Sequence, residues 1–186
     1  ALPDGAGAQS RVIEVLFGLL ACTGIRLGEA LSLRCDDVTQ HGLLIRRSKG
    51  GRGRLLPLHE TTRSVLEDFL RWRRGLPATS DRLFLTARGT PLQHHHAERW
   101  FARVLASCRI GAHRGTRRLC VHSLRHSFAV RALETGTRRR EELGMHMKAV
   151  SEYLGHVNLA CTYWYYEATP ELLADVLKDC EQHETQ

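Results

Sequence analysis

His122-Ser123-Leu124-Arg125-His126, followed by Leu154-Gly155-His156 and then by Tyr165 nine residues beyond the last histidine, is the stretch from which the fold and chemistry of this chain are read. His122, Arg125 and His126 stand at i, i+3 and i+4, so a helix over 123–135 places all three on one face. Leu124, Phe128 and Leu133 then lie mostly on the other side, as anchors in the core. Two histidine motifs, an arginine and a phenol form a complete set for holding a phosphodiester and attacking it with a phenolic oxygen. Two residues upstream would complete such a site: Arg26, within Thr23-Gly24-Ile25-Arg26-Leu27-Gly28-Glu29-Ala30, and Lys49, within Ser48-Lys49-Gly50-Gly51-Arg52-Gly53-Arg54.

Outward from this core the hydrophobic period assigns the other elements. Val12, Val15, Leu16, Leu19 and Leu20 predict a helix over 10–22 that ends at Thr23-Gly24, and a second runs from about 26 to 34. Residues 42–47 and 54–58 are apolar runs joined by a glycine-rich turn, a hairpin with Lys49 at its tip, and Leu83-Phe84-Leu85 is a candidate third strand. Longer helical patterns cover 59–74, 93–108, 141–153 and 169–181, the last with Pro170 in its first turn. The expected fold class is mainly α with a small antiparallel β-sheet (α+β). Residues 1–186 read as one domain with an ordered core over about 10–180, without internal repeat or low-complexity segment.

The net charge of +7 is carried by 24 arginines and only 3 lysines spread along the chain. Nucleic acid is therefore the first candidate partner, since the planar guanidinium suits bidentate contact with phosphate. Arg46, Arg47, Arg52 and Arg54 flank the hairpin and would grip phosphates around Lys49, although strand alternation sends some of them away from the DNA. The cysteines at 22, 35, 108, 120, 161 and 180 form no CxxC pair, which argues against a zinc ribbon or a disulfide framework. Several sit among apolar neighbours and are expected to be small buried residues. His94-His95-His96 invites a metal reading, but consecutive helical positions point about 100° apart, so exposure near a helix start is expected, with a phosphate contact as an option. No apolar run approaches a membrane span and the start shows no signal-peptide pattern, so a cytoplasmic, nucleoid-associated setting is expected.

Cleavage by tyrosine sets demands that these residues match. A phenol with a reference pKa of about 10 must lose its proton while the phosphoryl oxygens gain charge. Two arginines on the non-bridging oxygens stabilise that charge, the role expected of Arg26 and Arg125. A lysine can protonate the departing alkoxide, and Lys49 is placed for it by glycines that let the hairpin backbone come close to DNA.

With Arg26, Lys49, His122, Arg125, His156 and Tyr165 in this order, the chain resembles the catalytic domain of the tyrosine recombinase (phage integrase) family. The resemblance covers about 10–180 and implies that family's catalytic-domain fold. It implies that His122 assists proton transfer or holds a phosphate oxygen, that His156 also bonds the phosphate, and that His126 is a supporting residue. Tyr165, nine residues after His156 with Thr162 three before it, matches the family's nucleophile. Tyr166 is the nearest alternative, about 100° away if the segment is helical, while Tyr163 lies about 200° around and Tyr153 reads as core.

The activity implied is cleavage and rejoining of DNA strands through a 3′-phosphotyrosyl intermediate, without metal or nucleotide cofactor. A homotetramer on two double-stranded DNA duplexes is implied, weak or monomeric without DNA, with the 169–181 helix exchanged between neighbours. Two features depart from the pattern. The stretch from Gly136, with Arg138-Arg139-Arg140, is longer than usual, and Cys120 stands where a capping Ser or Thr is commoner. The family's usual N-terminal DNA-gripping domain is expected to be absent from this chain, which leaves modest and steeply salt-dependent affinity for DNA. The alternatives are a type IB topoisomerase-like relaxing activity and a non-catalytic DNA-binding module.

Overall fold

Ala8, Val12, Val15, Leu16, Leu19 and Leu20 recur at helical spacing and are all buried, which makes α1 (Gly5–Thr23) the spine of the first half of the chain. The computed structural model describes residues 5–46, 53–76, 80–110, 119–134 and 140–155. They fall in two compact units, Ala1–Arg125 and His126–Gln186. Lys49, His156, Tyr165 and the expected helix over 169–181 lie outside the described residues.

α1 ends as the sequence predicts. The Thr23 hydroxyl donates to the Leu19 carbonyl at 2.6 Å, and Gly24 takes φ +61 while its N–H donates to the Leu20 carbonyl at 2.9 Å. A positive φ at this place costs glycine nothing, and it halts the helix and redirects the chain. α2 (Leu27–Ser32) starts three residues later with Arg26 at its N-cap, where the Glu29 carboxylate turns back to accept the Arg26 N–H at 3.0 Å.

A 3₁₀ turn over Cys35–Asp37 leads into a three-stranded antiparallel sheet, β1 (Val38–Thr39), β2 (Gly42–Ile45) and β3 (Arg54–Leu56), in that spatial order. Leu43 pairs with Leu56, Leu44 with Leu55 and Ile45 with Arg54. Leu43, Ile45 and Leu56 are buried while Leu55 is half exposed, so pleat alternation places Arg54 on the covered face. The expected hairpin is present, but its third strand is Val38–Thr39 and not Leu83-Phe84-Leu85. Residues 81–83 instead run beside 33–35, with the Cys35 N–H donating to the Asp81 carbonyl and the Leu83 N–H to the Leu33 carbonyl. All three residues at 83–85 are buried, and an apolar run covered on every side shows no period that names its partner.

α3 (Glu60–Arg74) and α4 (His94–Ser107) complete the first unit. Phe69 of α3 stacks against Phe84 at 5.5 Å between ring centroids, and Phe17 of α1 meets Phe101 of α4 edge-on at 5.3 Å. Arg11 of α1 sits over the Trp72 ring at 5.1 Å.

α5 (His122–Glu134) begins at the end of the first unit. Its start lacks a Ser or Thr cap; instead Ser123 reaches back and accepts the Cys120 N–H at 3.2 Å. The buried stripe of the helix is Val121, Arg125, Ala129 and Leu133, so Arg125 belongs to the covered side; Leu133 anchors the core as expected and the half-buried Phe128 packs against it, while Leu124 is only half-buried. In the second unit Ala129, Leu133, Met147, Val150 and Leu154 form a core between α5 and α6 (Arg140–Leu154). Phe128 and the half-buried Tyr153 stack beside it at 5.6 Å, and the His146 ring donates to the Ala132 carbonyl at 2.6 Å.

Among the described residues the cysteines depart from expectation: Cys22, Cys108 and Cys120 are exposed and Cys35 is half-buried, while Cys161 and Cys180 lie outside the described residues. Cys22 falls off the buried stripe of α1, and Cys108 and Cys120 sit at helix ends, where apolar neighbours in sequence do not mean burial in space. Among the described residues no helix is long and apolar enough to cross a membrane.

The hairpin depends on one glycine. At Gly42 φ is +133, and a Cβ would stand 2.2 Å from the Leu56 carbonyl oxygen, whereas at the exposed Gly18 inside α1 it would meet nothing within 4 Å. Gly42→Ala is expected to destabilise by about 3 kcal/mol or more. Gly18→Ala is expected to stabilise by about 0.5–1 kcal/mol. Urea unfolding midpoints moving in opposite directions check both.

Candidate active site

The first unit contains a cavity of about 410 Å³ where the end of α1, α2, α4 and the start of α5 meet. Its polar wall is made by Arg26, Glu29, His94, Glu98, His122 and Arg125, and Leu20, Ile25 and Val121 supply an apolar floor. Arg26, His122 and Arg125, three of the residues expected to act on a phosphodiester, are thus brought together.

Arg125 is 2% exposed, and its Nη1 donates to the Gly24 carbonyl at 2.6 Å across 101 residues of sequence. The positive-φ turn after α1 aims that carbonyl inward. A neutral carbonyl partner positions the guanidinium without cancelling its charge, which suits a group meant to meet an anion.

Arg26 is held by a carboxylate. Its Nη1 lies 3.3 Å from Glu29 Oε1, and Glu29 is also gripped by Arg54, with Nη1 and Nη2 donating to Oε1 and Oε2 at 3.0 Å each. Glu29 is 5% exposed. Burial pushes its carboxyl up, but the Arg54 hydrogen bonds, the Arg26 N–H and the charges of both arginines together outweigh burial and hold it below the ordinary value.

The register of β3 makes Arg54 part of this support, since its bidentate grip on Glu29 turns it inward and away from the expected phosphate patch. Arg46 is exposed and its Nε lies 2.5 Å from Asp37 Oδ1, outside the cavity wall. His122 is exposed at the cavity, and His126 is half-buried and belongs to the second unit. Lys49, Arg47, Arg52, His156, Tyr165 and its rival Tyr166 lie outside the described residues.

The three consecutive histidines separate. His96 Nδ1 accepts the Gln93 N–H at 3.2 Å, the His95 ring lies 3.9 Å from that of His96 between centroids, and His94 lines the cavity. Desolvation lowers the pKa of His96, and His95, Arg99 and Arg88 lower it further. Among the described residues, no three His, Cys, Asp or Glu side chains gather as a metal ion would require.

Glu29 and Glu98 escaped the reading of the sequence, and His94 entered it only as one of an exposed histidine run. Glu29 carried a signal, being three residues after Arg26 at capping-box spacing. His94 and Glu98 are one helical turn apart, yet nothing in α4 itself shows that this turn faces Arg26 and Arg125.

Comparison with known proteins places this geometry in context. A family model described as the phage integrase family matches residues 6–171. The tyrosine recombinase XerC of Shewanella amazonensis is 32% identical over 178 residues, which cover 93% of this chain and 53% of XerC. The chain spans about half the length of the curated relatives it matches. Among solved structures, the XerH site-specific recombinase in a post-cleavage complex with palindromic difH substrate superposes with a TM-score of 0.70 at 24% identity, over 97% of this chain and 48% of XerH. A lambda integrase tetramer bound to a Holliday junction gives a TM-score of 0.65 at 17% identity, over 83% of this chain and 42% of that one. These two likenesses show the fold, the tyrosine recombinase catalytic-domain fold.

The Glu29 cluster carries a pH signature. With its folded-state pKa below the ordinary 4.5, Glu29 contributes stability that is whole above that value and is lost as pH falls through the folded-state pKa. Glu29→Gln is expected to cost about 3 kcal/mol at neutral pH, by leaving Arg54 without its carboxylate. It is also expected to flatten the decline in stability below pH 4.5. Chemical denaturation of both proteins across the acid range checks the two effects together.

Proposed function

Because the chain belongs to the phage integrase family, we propose that it cuts and rejoins DNA strands as a site-specific recombinase, with residues 1–186 acting as one catalytic domain. The observation that carries the reading is the meeting of Arg26, His122 and Arg125 in one cavity. Side chains from opposite ends of the first unit converge there, two of them permanent cations and one a proton carrier.

In this reading the phenolic oxygen of Tyr165 attacks the phosphorus of a DNA phosphodiester. The bond to the 5′ oxygen breaks, leaving a 3′-phosphotyrosyl link and a 5′-hydroxyl. Arg26 and Arg125 stabilise the charge that grows on the non-bridging oxygens, which a preorganised, partly desolvated site does far better than water. Lys49 gives its proton to the departing 5′ oxygen. His122 moves a proton or holds a phosphate oxygen, His156 bonds the phosphate, and His126 supports them. A 5′-hydroxyl from a second strand then attacks the phosphotyrosine and releases Tyr165. The covalent link conserves the energy of the broken bond, so the cycle needs neither metal nor nucleotide cofactor. Arg46, Arg47 and Arg52 add phosphate contacts around the hairpin tip.

The partners in this reading are double-stranded DNA at a specific site and three further copies of the chain on two duplexes. The lambda integrase tetramer on a Holliday junction supports that assembly. Its setting is the cytoplasm, on the nucleoid.

Nicked suicide substrates bearing candidate sites test the reaction. Wild type is expected to form a covalent protein–DNA adduct, Tyr165→Phe to form none, and Tyr166→Phe to retain it. Arg26→Ala is expected to slow adduct formation by about 10²–10³-fold. An adduct that persists in Tyr165→Phe and disappears in Tyr166→Phe moves the nucleophile by one residue. Relaxation of supercoiled plasmid by a monomer points to topoisomerase chemistry instead.

A further inference from the structure

We propose that His94 is a DNA-contacting residue of the cleavage cavity, its imidazole donating a hydrogen bond to a phosphate oxygen of the strand seated between Arg26 and Arg125. The inference rests on the recombinase reading and adds to it a residue, on α4, that the sequence motifs do not include.

Three observations carry it. His94 lines the same cavity as Arg26, His122 and Arg125, and approaches it from a different element. Its neighbours in the histidine run are occupied, His96 by the Gln93 N–H and His95 by the His96 ring, whereas the exposed His94 ring makes no hydrogen bond to any described residue. The apolar floor and the cations opposite leave a phosphate as the fitting occupant, because an anion seated between two guanidinium groups brings an oxygen within reach of a donor on the third wall.

An imidazole has an N–H donor in both neutral tautomers, so the His94 ring can donate to a phosphate oxygen without carrying a charge.

The test is fluorescence anisotropy on a short duplex with the full chain carrying Tyr165→Phe, so that no covalent step intervenes, in the parent and with His94→Ala, His94→Gln or His95→Ala added. His94→Ala is expected to weaken binding about tenfold, the loss of one hydrogen bond to a charged acceptor. His94→Gln keeps an N–H donor, so it is expected to recover most of the binding. His95→Ala should follow the parent. The proposal is overturned if His94→Ala binds like the parent, or if His94→Gln binds as weakly as His94→Ala. Adduct formation by the protein with Tyr165 intact separates the two readings: an adduct with an indifferent His94 sinks this inference alone, and a His94-dependent grip without an adduct sinks the strand-cleavage reading alone. Failure of the parent to bind DNA overturns both.

Discussion

One buried carboxylate organises the approach to the cavity. Glu29 takes four donors, the backbone N–H and Nη1 of Arg26 and both terminal nitrogens of Arg54, and so joins the start of α2 to strand β3. A carboxylate 5% exposed is tolerable only with its charge matched and its lone pairs occupied, and this set of partners does both. The start of α2, the setting of Arg26 and the inward turn of β3 follow from the same group.

The two cavity arginines are held by different physics. Arg26 shares an anion with a second arginine, so its local field is partly spent, and it remains partly exposed. Arg125 is buried on a backbone carbonyl, which costs more in desolvation but leaves the positive charge largely uncompensated by that contact. That carbonyl faces inward because Gly24 adopts a conformation that side-chain-bearing residues avoid. A helix stop near the beginning of the unit therefore fixes a cation near its end.

The histidine run shows how three identical neighbours acquire different roles. Helical geometry spreads them by about 100° each, so one caps the backbone, one leans on it and one lines the cavity. Their chemistry is the same; their surroundings are not.

What the sequence by itself determined was the type and order of the helices and the β2–β3 hairpin, and it supplied a set of candidate residues for phosphodiester chemistry. Hydrophobic period is local, so α1, α3, α4, α5 and the hairpin were legible within a few residues, as was the break at Thr23-Gly24. The tertiary structure alone decided which of these residues meet. Leu83-Phe84-Leu85 lies beside Leu33 and not in the sheet, because a fully buried run carries no mark of its neighbour. Arg54 faces Glu29 because the β2–β3 register puts it on the covered side of the pleat, and Arg125 takes a place in the buried stripe of α5 because the Gly24 carbonyl awaits it there. His94 and Glu98 join the cavity because α4 packs against α2. Each of these choices is a contact between residues far apart in the chain, and the local spacing from which a sequence is read has no term for it.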